Sequence, residues 1–189
     1  MALYALNPDG SFKWRFDQDG YIYELAIGSA DSIYIASGNG SGLTNSTEGR
    51  LIAVGSDGVQ DWEYPVLEPN SLCIASSGNA VFSYADGGTA LAPDGSVDWD
   101  YPTDIWTSSL LLDSADNSYF FTAVAQPEGN GNDITLHSVD AGGIERWSLL
   151  LTGVYLTYSL ALRDDGALVM TYRYRLTGSG ESTRMMVLQ

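Results

Sequence analysis

Four times along this chain a glycine stands four residues before a tryptophan, each time inside the same short pattern of strand, tight turn and strand. The copies span residues 7–14, 55–62, 92–99 and 140–147, with Gly10 and Trp14, Gly58 and Trp62, Gly95 and Trp99, Gly143 and Trp147 as their fixed points. A small residue (Ala5, Ala53, Ala90 or Ser138) precedes each tryptophan by nine positions, and Phe16, Tyr64, Tyr101 or Leu149 follows it by two. Repetition at fixed spacing is the mark of stacked supersecondary units, so it confines the chain to repeat architectures.

Turn chemistry explains the pattern. In Asp9-Gly10, Asp57-Gly58 and Asp94-Gly95 the glycine accepts positive φ and the aspartate binds nearby backbone amides, which is the strongest short hairpin signal. Alternation of Val59, Asp61 and Glu63 against Gln60, Trp62 and Tyr64 has the period of a half-buried strand and sets the tryptophan and the next aromatic on one face. The tryptophans are therefore core between units. A second hairpin lies between successive copies: 21–28 with 32–37, 70–76 with 79–84, 105–112 with 118–124, and 154–162 with 167–174. No helical period occurs. The fold class is all-β, one repeat domain over 1–189. Its units have four antiparallel strands, A to D, at about 21–64, 70–101 and 105–150, preceded by a C–D pair at 3–16 and followed by an incomplete unit at 154–189.

The repeat resembles the pyrroloquinoline-quinone-like (PQQ-like) β-propeller blade of quinoproteins and BamB-type scaffolds. Residues 3–14 followed by 32–38 carry the likeness most clearly, and it extends over nearly the whole chain. The resemblance implies a β-propeller of about four blades per chain, and suggests a periplasmic or extracellular setting, although residues 1–4 show neither a basic nor an apolar leader. It does not carry the quinone chemistry here. Such enzymes set a vicinal disulfide over the cofactor, and Cys73 is the only cysteine; they also use about twice as many blades. PQQ is thus not expected as a cofactor.

Charge narrows the partners. With 24 acidic against 8 basic residues the net charge is -16, which repels phosphate backbones and argues against nucleic acid. It suits solubility, a cation or a basic partner. No apolar stretch approaches the roughly 20 residues of a membrane helix, so no membrane span is expected. Cys73, in Leu72-Cys73-Ile74-Ala75, reads as a buried strand residue.

In such a blade the A–B and C–D turns share one rim, and the B–C and D–A connections share the other. The first set is tight throughout. The second is long and uneven, with B–C loops at 38–49, 125–132 and 177–182 and D–A loops at 17–20 and 65–69. Tryptophan-to-tryptophan spacings of 48, 37 and 48 residues reflect chiefly the B–C lengths. Length variation gathered on one rim marks it as the functional face. Calcium candidates there are Asp17, Asp19 and Glu24, and Glu128 and Asp133 with Asn130 and Asn132; the plain reading of each is a solvated turn. Tyr21, Tyr23, Trp106, Tyr155 and Tyr158 on A strands are candidates to stack on a sugar or peptide, about half of them being core by alternation. His137, the sole histidine, reads as structural, and no nucleophile-elbow, zinc-helix, paired-cysteine or phosphate-loop motif occurs. Asn45-Ser46-Thr47 is a glycosylation sequon.

The expected function is a non-enzymatic binding or scaffold module that engages a protein, peptide or glycan through the long-loop rim. The alternatives are a hydrolase or lyase with a carboxylate site on that rim, and a fragment or engineered half-propeller with no ligand of its own. Because the chain opens on C–D and closes on A–B–C, a homodimer completing an eight-bladed ring is expected, with 3–7 and the final C strand competing for one place.

Overall fold

Each signature turn closes in the same way. The glycine amide donates to a carbonyl three residues back, Gly10 to Asn7 at 2.8 Å, Gly58 to Gly55 at 2.9 Å, Gly95 to Ala92 at 2.9 Å and Gly143 to Asp140 at 3.0 Å. An aspartate oxygen accepts a second amide inside the loop, from Ser11, Val59, Ser96 or Gly142. All four glycines have φ between +83° and +85°, a region that costs an L-residue about 1 kcal/mol or more.

These turns join strands into consecutive antiparallel meanders, in a computed structural model that describes residues 1–38, 48–126, 131–176 and 180–188. A two-stranded pair, β1 (Ala2–Leu6) and β2 (Phe12–Asp17), comes first. One four-stranded sheet follows, of β3 (Tyr21–Ile27), β4 (Ile33–Gly38), β5 (Gly49–Val54) and β6 (Gln60–Val66). A second holds β7 (Ser71–Ile74), β8 (Ala80–Tyr84), β9 (Gly87–Leu91) and β10 (Val97–Pro102). The protein is all-β and its sheets are propeller blades.

The last sheet departs from four strands. It runs β11 (Thr107–Leu112), β12 (Ser118–Ala125), β13 (Asn132–Val139), β14 (Glu145–Leu162), β15 (Leu168–Leu176) and β16 (Gly180–Leu188). The sequence led to separate D and A strands on either side of residues 151–153. Instead β14 pairs with β13 through its first part and with β15 through its second, changing partner at Val154. Other D–A crossings carry a breaker: Gly20, Pro69, or Pro102 just before Thr103. Residues 149–162 hold only Gly153, whose φ of +68° turns the strand without ending it.

Blades pack face to face, each against its neighbours in sequence. Trp14, Leu3, Ala5 and Phe16 meet Ile35, Ile52 and Val54; Tyr34, Leu51 and Ala53 then meet Leu72, Phe82 and Leu91. Further along, Val81 and Trp99 join Leu110 and Leu112, and Phe121 and Leu136 join Leu168 and Met170. Side chains as fully buried as Phe82, Phe120 and Phe121 contribute about 1.5–3 kcal/mol each by leaving water.

The tryptophan and glycine of the repeat meet across these junctions. A Cβ on Gly58 would lie 2.7 Å from the Trp14 ring, one on Gly95 2.8 Å from Trp62, and one on Gly143 2.6 Å from Trp99. Each glycine is thus required twice, for its φ and for the indole lying on it. Trp14 Nε1 donates to Ser56 O and Trp62 Nε1 to Pro93 O, both at 2.9 Å, so the indole also holds the next blade's turn. Directly across the strand pair from each tryptophan stands the small residue of the repeat, Ala5, Ala53, Ala90 or Ser138.

Candidate functional site

The A strands β3, β7, β11 and β14 pack in turn against one another along the inner edge of the array. Polar links fasten them. Glu24 Oε2 accepts from Leu72 N at 2.8 Å, and Asn70 Nδ2 donates to Thr107 O at 2.7 Å. Burial holds the Glu24 carboxyl above its ordinary range, partly offset by the Leu72 amide. Cys73 Sγ lies 3.6 Å from Leu110 O, and burial, reinforced by the charge of Glu24, pushes the thiol up to about 11.

At the rim where B–C and D–A connections meet, a cleft of about 520 Å³ opens on the first complete blade. Glu48 lines it just before β5, Arg50 from the start of β5, Glu63 and Pro65 from β6, and Leu67 from the following connection. Arg50 Nη1 reaches Glu63 Oε2 at 3.5 Å, across the strand pair in which Arg50 faces Pro65. The floor is the close approach of Gly38 and Gly49, paired on β4 and β5. On the same rim Tyr21, Tyr23 and Trp106 lie at or near the starts of A strands and are 44%, 45% and 48% exposed. Tyr155 and Tyr158 fall on β14, and their side chains lie outside the described residues.

Three of the calcium candidates, Asp17, Glu24 and Asp133, are committed to separate partners. Asp17 Oδ1 pairs with Arg15, 2.9 Å from Nε, Glu24 turns to the neighbouring blade, and Asp133 accepts from Gln126. Among the described residues no three His, Cys, Asp or Glu side chains converge on one point. Glu128, Asn130 and the sequon at 45–47 lie outside the described residues.

His137 sits in a polar chain that sequence reading did not connect. Its Nε2 is 2.9 Å from Thr122 Oγ1 and its Nδ1 3.2 Å from Glu145 Oε2, while Tyr101 OH, from the preceding blade, donates to the same Glu145 oxygen. The ring stacks on Phe120 at 5.4 Å. Hydrogen bonds from Tyr101 and then His137 hold the Glu145 carboxyl below its usual range, and burial with the Glu145 contact raises the Tyr101 phenol. A hydroxyl, a histidine and a carboxylate in line have the order of an acyl-transfer triad. Thr122 is only 1% exposed, however, so its hydroxyl meets no substrate; the chain ties two blades together. The sequence signal was slight: a tyrosine two residues after Trp99 and a glutamate two before Trp147.

Solved structures with the same architecture are β-propellers. The chain matches the Dos1 propeller with a TM-score of 0.67 at 12% identity, over 92% of this chain and 48% of that one. It matches a protein of unknown function from Bacteroides caccae at 0.59 and 12%, over 96% and 69%. A third match is PorZ, a surface component of the type-IX secretion system of Porphyromonas gingivalis, at 0.60 and 12%, over 89% and 25%. The chain thus spans about half the length of the Dos1 propeller. No protein-family model and no curated protein matches it. Identity this low establishes the fold alone. Among the described residues no helix is long and apolar enough to cross a membrane.

Proposed function

We propose that this chain is a non-enzymatic binding or scaffold module built from PQQ-like blades, which engages a protein, peptide or glycan through the rim of B–C and D–A connections. The observation that carries the reading is the pairing on that rim of an open cleft, with Arg50 and Glu63 at its wall, and the exposed Tyr21, Tyr23 and Trp106. Aromatic faces supply apolar contact at low entropy cost, and a few convergent polar groups fix orientation, the usual makeup of a recognition site.

Two copies of the chain, on this reading, pair edge to edge as an eight-bladed ring. Support comes from Tyr4 and Leu6 on the outward face of β1, both exposed.

Binding to peptide and glycan arrays tests the function, followed by titration of each hit against Arg50→Ala, Tyr21→Ala and Trp106→Ala. The expected result is a tenfold or greater loss of affinity in at least one aromatic variant and in Arg50→Ala. Turnover of glycans or esters that disappears on substituting a rim Asp or Glu would overturn the scaffold reading in favour of a hydrolase or lyase.

A further inference from the structure

The joint between the sheets of β7–β10 and β11–β16 differs from the two before it. Trp14 and Trp62 each donate the indole N–H to the carbonyl two residues before the glycine they cover, Ser56 O and Pro93 O, both at 2.9 Å. For Trp99 the matching carbonyl belongs to Ala141, two residues before Gly143. Among the described residues Trp99 Nε1 has no acceptor, although the side chain is only 7% exposed, and the atom is not sealed off from solvent. The indole also sits differently on its glycine. A Cβ on Gly58 or Gly95 would come nearest the ring carbon Cδ2, whereas one on Gly143 would come nearest Trp99 Cβ. The turn sequence differs as well, with Gly142 where the other copies have Asp9, Asp57 and Asp94.

Trp99 and Ala141 together line a recess of about 130 Å³, so a gap stands where the other joints have a hydrogen bond. It lies among the A–B and C–D turns, on the rim opposite the Arg50–Glu63 cleft. Ala75, Val81 and Ala90 give it apolar walls, and Asn79, Asp98 and Asp116 polar ones. Asp116, from the following sheet, accepts from Ser76 N at 2.8 Å and from Ser76 Oγ at 2.5 Å, which ties the two sheets together at its edge. Asp98 Oδ2 accepts from Asn79 Nδ2 at 2.7 Å, and its other oxygen has no protein donor among the described residues.

The donor set selects the chemistry of an occupant. An unmade hydrogen bond at a buried N–H is costly, so the occupant must present an acceptor to Trp99. An anion brings that acceptor but meets the carboxylates of Asp98 and Asp116. An ammonium or guanidinium suits the carboxylates but has no lone pair for the indole. A hydroxyl does both, accepting from Trp99 Nε1 and donating to Asp98. The volume is that of about four waters, which is room for one edge of a sugar ring or a short polyol, its carbons against the alanine and valine methyls.

We infer that this recess is a binding site for a neutral polyhydroxylated ligand, a free polyol or the terminal sugar of a glycan, held between Trp99 Nε1 and Asp98. It is separate from the long-loop rim and does not depend on the function proposed there.

The test follows the indole N–H resonances of the full chain by nitrogen-15 correlation spectroscopy, with the Trp99 signal assigned by its loss in Trp99→Phe. Probes are glycerol, methyl glucoside, methyl mannoside and methyl galactoside, with inorganic phosphate and methylammonium as charged controls. Expected is a saturable shift of the Trp99 signal with at least one neutral probe, while the Trp62 signal, already bonded to Pro93, stays in place. Response to glycerol points to a free polyol, and response to glycosides alone to a glycan end. Asp98→Ala, at an exposed position, should weaken that binding at least tenfold without changing the thermal melt. A Trp99 signal unmoved by every neutral probe, or shifting without saturation, overturns the site. Saturation by phosphate or methylammonium, or binding indifferent to Asp98→Ala, overturns the assigned chemistry.

Discussion

Replacing Trp99 by alanine removes an indole that is 7% exposed and packed between Gly143, Ala75, Val81 and Ala90. Truncating a buried tryptophan costs about 3–5 kcal/mol, and the upper half of that range applies here because a glycine cannot move a side chain into the void. Trp147→Ala is the internal comparison. That indole is 36% exposed and lies tilted against the Tyr119 ring, so its loss costs about 1–2 kcal/mol in the monomeric chain. The difference of about 2–4 kcal/mol is a gap of about thirtyfold to several hundredfold in the folding constant. The loss also falls at one junction. In a stacked array stability is close to a sum over neighbours, so Trp99→Ala weakens the contact between the sheets of β7–β10 and β11–β16. Urea unfolding followed by far-ultraviolet circular dichroism measures both variants, at concentrations where light scattering shows monomer. Amide exchange locates the weakened junction, with early loss of protection in β9 and β10. Equal losses for the two variants, within about 0.5 kcal/mol, would refute the reasoning that coverage by the next blade's glycine sets each tryptophan's contribution.

Glu145 is held below the ordinary carboxylate range by Tyr101 and His137, so its contribution is present above its unfolded value and is lost as pH falls through its folded one. Between about pH 5 and 3, Glu145→Gln should therefore lose less stability than the wild type in thermal melts; parallel curves would exclude the Tyr101–Glu145 tie. Glu24 has the opposite sign: its folded value is raised, so its ionised form opposes folding at neutral pH and the penalty eases as pH falls. Glu24→Gln should be neutral or slightly stabilising at pH 7, and a loss above about 2 kcal/mol would show that the charge itself holds the Leu72 amide. With its thiol pushed up to about 11, native Cys73 should react with iodoacetamide at pH 8 about a hundredfold more slowly than a free thiol, and normally in urea. Fast native labelling would contradict its burial against Leu110. Calcium titrated calorimetrically to millimolar concentration should give no binding heat from Asp17, Glu24 or Asp133, each of which has a protein partner.

The strands and turns were legible because their causes are local. Asp-Gly dictates the hairpin through φ and one aspartate oxygen, and the alternation around Trp62 sets which side chains share a face, whatever lies beyond the strand. The repeat itself announces stacked blades, and hence that Trp14, Trp62 and Trp99 lie between them. What lies against each indole is not local. That Gly58, Gly95 and Gly143 are the seats follows only once neighbouring blades face each other. The passage of β14 through the expected break, the meeting of Tyr101 with His137 and Glu145, and the cleft between Arg50, Glu63 and Leu67 were likewise decided by the tertiary structure. Each joins residues from different strands or different blades. Hydrogen-bond partners and cavity walls arise from that juxtaposition, whereas strand period and turn chemistry are properties of a few consecutive residues.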